Sequence, residues 1–166
     1  MTSNIYRSPA PYPRPKGLSR NIRYARILQT VYSSGASELT SIHQYIYHHI
    51  ITEGDAPEIS RVLREIALVE MHHLYLLGEC ILQLGLHPTF SYYQGTRRAR
   101  WNSGFVQYAR QVKGVIELGI YSEEQSIECL KEAAAKIPDE QIVALLNRLV
   151  EDEELHLKIL LGMRDL

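Results

Sequence analysis

The sequence predicts an all-α protein that folds as a four-helix bundle. Four long stretches repeat apolar residues at helical spacing, and we identify no alternating strand pattern of useful length. The 166 residues, 45% of them hydrophobic, suit one domain with a single core. Residues 1–17 are rich in proline, serine and arginine, so we expect an extended N-terminal tail there and the bundle over residues 18–166.

The first two helices are predicted over about residues 33–53 and from about Pro57 to Leu84. Asp55, in the break between them, predicts an N-cap for the second helix, with Pro57 in its first turn. Gly85 predicts the end of that helix. The first apolar face contains Glu38, Ile42, Tyr45 and His49, and the second contains Ile59, Leu63, Ile66, Glu70, His73, Leu77, Cys80, Ile81 and Leu84.

Residues 85–102 have no clean helical period, and a third helix is predicted after them, from about Ser103 to Lys136. Pro138 fits the first turn of a fourth helix, which runs to about Met163. The third apolar face contains Ala109, Val112, Ile116, Gly119, Glu123, Ile127, Leu130, Ala134 and Ile137, and the fourth contains Ile142, Leu146, Leu149, Glu153, His156 and Leu160.

Each apolar face carries one carboxylate near its middle, and the second and fourth faces add a histidine three residues later. Residues three apart in a helix lie on the same face and can bind the same ligand. The chain repeats the pattern, with a glutamate followed by Glu-x-x-His after 32 residues in the first half and after 30 in the second. The six residues are Glu38, Glu70, His73, Glu123, Glu153 and His156.

Four buried carboxylates require a compensating positive charge. An unpaired buried ion costs several kcal/mol, whereas a whole domain is stable by only about 5–15 kcal/mol. We find no lysine or arginine on the four faces near these positions. Two metal ions would supply the charge, and bundles that bind two iron or two manganese ions use this combination of Glu and Glu-x-x-His.

Two alternatives need weighing against a metal site. A single Glu-x-x-His is common by chance, and a lone buried histidine is usually a hydrogen-bonded core residue, but a duplicated motif favours the metal interpretation. On the third helix Glu124 could replace Glu123. Glu123 fits the face of Ile116, Ile127 and Leu130 better, so we select it.

The segments "SELTSIHQY", "VEMHH", "EEQSI" and "EDEELH" resemble the ferritin-like superfamily, in particular its rubrerythrin, bacterioferritin and manganese-catalase-like branches. The resemblance covers about residues 33–163. It implies a long crossover between the second and third helices, which 18 residues could span. It also implies Glu38 and His73 on one metal ion, Glu123 and His156 on the other, and Glu70 and Glu153 as bridges. It suggests Tyr45 as a hydrogen-bonding neighbour, with an ordinary core residue as the alternative.

A carboxylate-bridged metal pair suits an oxidoreductase that acts on hydrogen peroxide or dioxygen, with iron or manganese as its two metal ions. The alternatives are a ferroxidase that stores iron and a structural bundle in which the metal ions only stabilise the fold. Rubrerythrins usually add a rubredoxin-like cysteine site, and we find no C-x-x-C motif here, so any electron donor would be external.

The formal net charge of −1 gives no general reason to bind nucleic acid or an anionic membrane. We find neither an apolar run long enough for a membrane span nor a signal core at the N-terminus, so we expect a cytoplasmic protein. Cys80 and Cys129 are expected to be reduced thiols packed in helices. The tail and an aromatic crossover suggest a homo-oligomer, with Tyr92, Tyr93, Trp101 and Phe105 as contact residues.

Overall fold

The computed structural model describes residues 5–164, and the bundle predicted from the sequence is confirmed within them. The elements are α1 (Ile22–Ser33), α2 (Glu38–Thr52), α3 (Pro57–Gln83), β1 (Ser91–Gln94), β2 (Arg97–Arg100), a 3-10 helix (Ser103–Phe105), α4 (Val112–Lys136) and α5 (Glu140–Arg164). Helix α2 packs along α3 and helix α4 along α5, and the two pairs meet through contacts between α2 and α4 and between α3 and α5. A crossover over residues 84–111 joins the pairs.

Helix α1 was not predicted. The side chain of Asn21 accepts a hydrogen bond from the backbone N–H of Tyr24 and caps the helix. The buried residues Ala25, Leu28 and Tyr32 recur at helical spacing and lie in the apolar core. Because α1 takes the chain as far as Ser33, the first predicted helix begins later than expected, at Glu38.

The predicted ends of α3 are partly correct. Pro57 occupies its first turn, but the N-cap is Ala56, which makes no side-chain capping bond, so the assignment of Asp55 was wrong. The backbone N–H of Ala56 already bonds to the carbonyl of Thr52, which carries the chain directly from one helix into the next. At the other end Gly85 has a φ of +98°, and this left-handed conformation ends the helix as predicted.

The crossover differs from the prediction in two ways. Its first part forms a short antiparallel hairpin of β1 and β2, joined by a two-residue turn at Gly95 with a φ of +62°, although no strand was expected. Its second part precedes α4, which begins at Val112 rather than at the predicted Ser103. The amide side chain of Gln44 bonds to both backbone groups of Gln107, so this residue satisfies its backbone outside an α-helix.

Helix α5 also begins later than predicted, at Glu140 rather than Pro138. The carboxylate of Asp139 accepts hydrogen bonds from the backbone N–H groups of Gln141 and Ile142, at 3.0 and 3.1 Å. Asp139 therefore caps the helix, and Pro138 precedes the cap instead of occupying the first turn.

The aromatic residues of the crossover contact their own chain. The indole of Trp101 donates to Thr40, the ring of Tyr93 faces the guanidinium of Arg26, and the rings of Tyr92 and Phe105 pack edge to face. These side chains are partly buried. Their presence therefore no longer argues for a subunit contact.

The apolar core consists of two clusters separated by a polar layer. Along α3, one cluster ends at Val69 and the other begins at Leu76. Along α4, the corresponding positions are Ile120 and Leu130. The residues predicted to bind metal lie in the interval. Cys80 and Cys129 are free thiols in α3 and α4, as expected. Within residues 5–164, no helix combines the length and the apolar character that a bilayer span needs.

Replacing Gly85 with alanine should destabilise the chain by about 1–3 kcal/mol, because a left-handed backbone strains a residue with a Cβ. That Cβ would also lie 2.9 Å from Cγ of Arg20. Urea unfolding measures the loss. Gly162→Ala is the matched control, since its added methyl meets nothing within 4 Å and should favour α5. Equal stability of the two variants would contradict the expectation.

Candidate metal centre

The structure brings all six predicted side chains together in the polar layer. Four helices supply them, since α2 carries Glu38, α3 carries Glu70 and His73, α4 carries Glu123, and α5 carries Glu153 and His156. Each is at most 1% exposed. The alternative residue Glu124 is exposed, so only Glu123 can take part in the cluster.

The six side chains form two overlapping groups of possible ligands. One group is Glu38, Glu70, His73 and Glu153, and the other is Glu70, Glu123, Glu153 and His156. Within each group, one ligand atom from every residue lies within 4.8 Å of all the others. Glu70 and Glu153 belong to both groups. The centroids of the two imidazole rings are 6.4 Å apart, so one ring lies in each half of the cluster.

The two shared carboxylates each direct one oxygen to either half. For Glu70, Oε2 lies 3.3 Å from Nδ1 of His73, and Oε1 lies 3.0 Å from Nδ1 of His156. For Glu153, Oε1 lies 3.0 Å from Nδ1 of His73, and Oε2 lies 3.8 Å from Nδ1 of His156. The remaining carboxylates each face one histidine, Glu38 facing His73 at 3.6 Å and Glu123 facing His156 at 3.7 Å. Two carboxylates therefore face both histidines, and the other two face one histidine each.

The inward-facing atoms fit a pair of cations. Eight buried oxygen and nitrogen atoms of the cluster form no hydrogen bond with any described residue, although buried polar atoms are normally paired. All eight can donate a lone pair, and carboxylate oxygen with imidazole nitrogen suits iron and manganese. They are Glu38 Oε2, both oxygens of Glu70 and of Glu153, Glu123 Oε2, and Nδ1 of His73 and His156.

Protons are retained in the cluster when no cation is bound. Burial, followed by the charges of nearby carboxylates, raises the pKa of Glu38 and of Glu123 well above the usual value. Burial opposes charge on the imidazoles, but hydrogen bonding and the facing carboxylates raise the pKa of His73 and His156. Cations that enter the cluster must therefore displace these protons.

A hydrogen bond from the outer nitrogen, Nε2, orients the ring of each histidine. Nε2 of His73 lies 3.0 Å from Oδ2 of Asp152, and Nε2 of His156 lies 2.8 Å from the backbone carbonyl oxygen of Tyr6. A carbonyl or a carboxylate accepts a hydrogen bond, so Nε2 of each ring carries the proton. Once the second proton of the ring is displaced, Nδ1 directs its lone pair into the cluster, as a metal ligand requires.

Sequence reasoning missed Asp152, which is fully buried beside the cluster. Its Oδ1 accepts from Arg148 at 2.6 Å and from the backbone N–H of Ser8 at 2.6 Å, and its Oδ2 accepts from the hydroxyl of Tyr12 at 2.5 Å. Although burial opposes it, hydrogen bonds from His73 and Tyr12 help to lower the pKa of Asp152 to about 2. The signal in the sequence was the aspartate directly before Glu153, four residues after an arginine.

Arg148 is a buried cation that the sequence analysis did not place near the site. It is 4% exposed and pairs with Asp152 rather than with any of the six clustered residues. The argument that the four glutamates lack a basic partner therefore remains valid for the described residues.

Tyr45 lies against the cluster and is fully buried. Its hydroxyl donates to Oε1 of Glu123, whose other oxygen faces His156. Burial, and then the charge of Glu123, raises the pKa of Tyr45 well above the usual value, so the phenol keeps its proton and remains a donor. Tyr45 therefore bonds directly to one of the six clustered side chains.

Replacing Tyr45 with phenylalanine removes only the hydroxyl and leaves Glu123 without this donor. We expect about a 10-fold loss of affinity for one of two bound ions, the usual lower range for hydrogen-bond partners of metal ligands. Calorimetric titration with Mn²⁺ measures it. Tyr75→Phe is the control, because the hydroxyl of Tyr75 bonds to Glu79 at the surface of α3. Two unchanged binding steps in Tyr45→Phe would contradict the assignment.

Comparison with known proteins places the chain among metal-binding helical bundles. A family model described as rubrerythrin matches residues 30–163. The bacterioferritin of Desulfovibrio desulfuricans is 28% identical over 144 residues, which cover 84% of this chain and 74% of that protein.

Two solved structures show the same fold. The manganese catalase KatB from Anabaena superposes with a TM-score of 0.84 at 21% identity, over 95% of this chain and 78% of KatB. The Desulfovibrio desulfuricans bacterioferritin, whose structure is described as having a diiron site, superposes with a TM-score of 0.74 at 24% identity, over 87% of this chain and 79% of that one.

Proposed function

Because the chain belongs to the rubrerythrin family, we propose that it binds two iron or manganese ions and acts as an oxidoreductase on hydrogen peroxide or dioxygen. The observation that carries the proposal is the pair of ligand groups that share Glu70 and Glu153. A carboxylate shared in this way can join two cations at short distance, which an accidental cluster of buried acids would not arrange.

We propose the following ligands. Glu38 and His73 would hold one ion, Glu123 and His156 would hold the other, and Glu70 and Glu153 would be shared between them. The support is the placement of one oxygen of each bridging carboxylate near each imidazole, at 3.0–3.8 Å from Nδ1. This assignment uses all eight inward-facing atoms that otherwise lack a hydrogen bond.

When bound, the metal pair supplies a centre that can bind a small oxidant and exchange electrons with it. The chain contributes the surroundings. The six ligands are sealed from solvent between two apolar clusters, which limits access to small molecules and strengthens electrostatic interactions inside. Tyr45 holds a proton on its hydroxyl beside Glu123, and so fixes the orientation of that carboxylate.

A second candidate function is oxidation and storage of iron. The observation that favours it is the 28% identity to a bacterioferritin over most of the chain. A third is a bundle in which the ions only stabilise the fold.

The three candidates separate in two assays on the purified, metal-loaded chain. Rapid oxygen evolution from hydrogen peroxide, or rapid consumption of peroxide with a reductant, supports the oxidoreductase. Slow oxidation of added Fe²⁺ with the mineral retained in a large particle supports storage. Tightly bound metal that is inert in both assays supports the structural role and overturns the leading proposal.

Glu70→Ala should lower the metal content from two ions to one or none, because it removes one ligand from each ion. Elemental analysis of the purified variant measures this. Glu128→Ala, on the exposed face of α4, is the control and should retain both ions. If Glu70→Ala still carries two metal ions per chain, Glu70 does not bridge them.

We also propose that the chain forms a homo-oligomer. Leu68, Met71 and Tyr75 follow one another at helical spacing along α3, and each is 50–54% exposed. Covering them in a subunit contact would remove apolar surface from water. Sedimentation equilibrium tests this, and a monomer at all concentrations would exclude it.

A further inference from the structure

The N-terminal residues 5–12, which we call the strap, contact both halves of the metal centre. Tyr6 is 6% exposed and packs in the apolar cluster around Tyr45. Its carbonyl oxygen accepts the Nε2 proton of His156. Further along, the backbone N–H of Ser8 and the hydroxyl of Tyr12 both donate to Asp152, which accepts from His73. A segment expected from its composition to be a tail without a core is therefore bonded to the site.

Arg148 fixes the strap in place. Its Nε donates to the carbonyl oxygen of Ala10 at 2.9 Å, and its Nη2 donates to that of Ser8 at 2.8 Å. Its guanidinium also lies over the ring of Tyr12, 4.1 Å from the centroid. Three of these six strap contacts thus depend on one buried cation. These contacts fix the backbone of the strap where it lies against Asp152.

The Nε2–H groups of the two histidines donate to different kinds of acceptor. Asp152, the residue before Glu153, supplies the acceptor for His73. The equivalent residue before Glu70 is Val69, whose side chain has no hydrogen-bonding atom. The carbonyl of Tyr6 supplies the missing acceptor for His156. The strap therefore supplies the hydrogen-bond acceptor of His156 directly. It also donates two hydrogen bonds to Asp152, the acceptor of His73.

We propose that the strap is a positioning element of the metal centre, with separate residues serving the two histidines. The carbonyl of Tyr6 sets the ring orientation of His156, and Ser8 and Tyr12 set that of His73 through Asp152. This inference rests on the proposed function, since it takes the histidines to be metal ligands. It goes beyond that function by assigning a role at each half-site to chain outside the bundle.

Two variants test the strap, one for each half. Tyr12→Phe removes one donor to Asp152, and a chain lacking residues 1–6 removes the carbonyl of Tyr6 while keeping the amide N–H of Ser8. Each should weaken one of the two Mn²⁺ binding steps about 10-fold, as the loss of a hydrogen-bond partner of a ligand typically does. Calorimetric titration measures the steps. Gln141→Ala is the matched control, because Gln141 bonds the N-terminal chain at Lys16, beyond the strap and away from the site.

The second readout is ¹⁵N NMR of the imidazoles in the metal-free protein. Tyr12→Phe should shift the ring nitrogens of His73 alone, and the truncation should shift those of His156 alone. Tyr6→Leu keeps the backbone carbonyl and should restore the His156 signals that the truncation loses. General destabilisation would instead move both histidines together in every variant.

The outcomes separate the inference from the proposed function. A wild-type chain that binds no pair of ions overturns the function, whatever the strap does. A wild-type chain that binds two ions, with both steps unchanged in the truncated chain, overturns the strap. If Tyr12→Phe alone shifts the ring nitrogens of both histidines, the inference is also overturned, because separate residues would then not position the two rings.

Discussion

Saturating Mn²⁺ is expected to raise the thermal unfolding midpoint of the chain far above that of the chelator-treated protein. An ion present at 1,000 times its dissociation constant stabilises the folded state by about 4 kcal/mol. For a chain of this size each kcal/mol corresponds to roughly 2–4 °C, so one ion should add roughly 8–16 °C and two ions more. Differential scanning calorimetry with Mn²⁺ and with a chelator measures the difference.

The expected effect is large because the ions relieve an unfavourable arrangement. Without them, four carboxylates and two imidazoles lie buried in one layer, and the protons they retain pair them only partly. With them, each inward-facing lone pair meets a positive charge. The stabilisation therefore arises at the residues that determine metal binding.

A double variant, Glu38→Gln with Glu123→Gln, provides the control for this explanation. It removes the two terminal carboxylates and should lose most of the response to Mn²⁺. Its midpoint in chelator should equal or exceed that of the wild-type chain, because two buried acids have been replaced by neutral amides. Equal midpoints for the wild-type chain with metal and with chelator would contradict the metal assignment.

Arg148→Met should destabilise the metal-free chain by about 3–5 kcal/mol, the range observed when one partner of a buried ion pair is removed. The variant keeps most of the apolar volume of the side chain, but it leaves Oδ1 of Asp152 without its cation. It also leaves the carbonyl oxygens of Ser8 and Ala10 without their donor. Urea unfolding in the presence of chelator isolates this loss from any change in metal binding.

Arg64→Met is the matched control. Arg64 pairs with Glu65 at 2.6 Å, but its side chain is 54% exposed, and pairs of this kind contribute about 0–1 kcal/mol. A second comparison is Arg148→Met combined with Asp152→Leu, which removes both charges and should recover part of the stability. If Arg148→Met and Arg64→Met unfold alike, Arg148 does not anchor the segment that crosses Asp152.

The cluster of proposed ligands could be predicted from the sequence because the pattern that indicates it lies within single helices. Three-residue spacing on a helix fixes Glu70 with His73 and Glu153 with His156, whatever the rest of the chain does. The apolar faces then bring the four helices together with these residues inside. The same reasoning gave the fold class and correctly selected Glu123 over Glu124 as the buried residue.

The parts that were missed depend on contacts between residues far apart in the chain. Nothing near Tyr6 in the sequence indicates that its carbonyl meets a histidine 150 residues later. The start of α4 is set by Gln44, 63 residues before the stretch it binds. The hairpin of the crossover has strands of four residues, too short for alternation to stand out.

The unequal partners of the two imidazoles have a chemical consequence. A carboxylate that accepts the outer N–H of a histidine makes the inner nitrogen more basic than a neutral carbonyl does. His73 bonds to ionised Asp152 and His156 to the amide carbonyl of Tyr6, so His73 is the stronger electron donor. The two halves of the centre thus have the same types of side chain, but their histidines differ in electron-donating strength. These halves would differ in how readily they support a higher oxidation state.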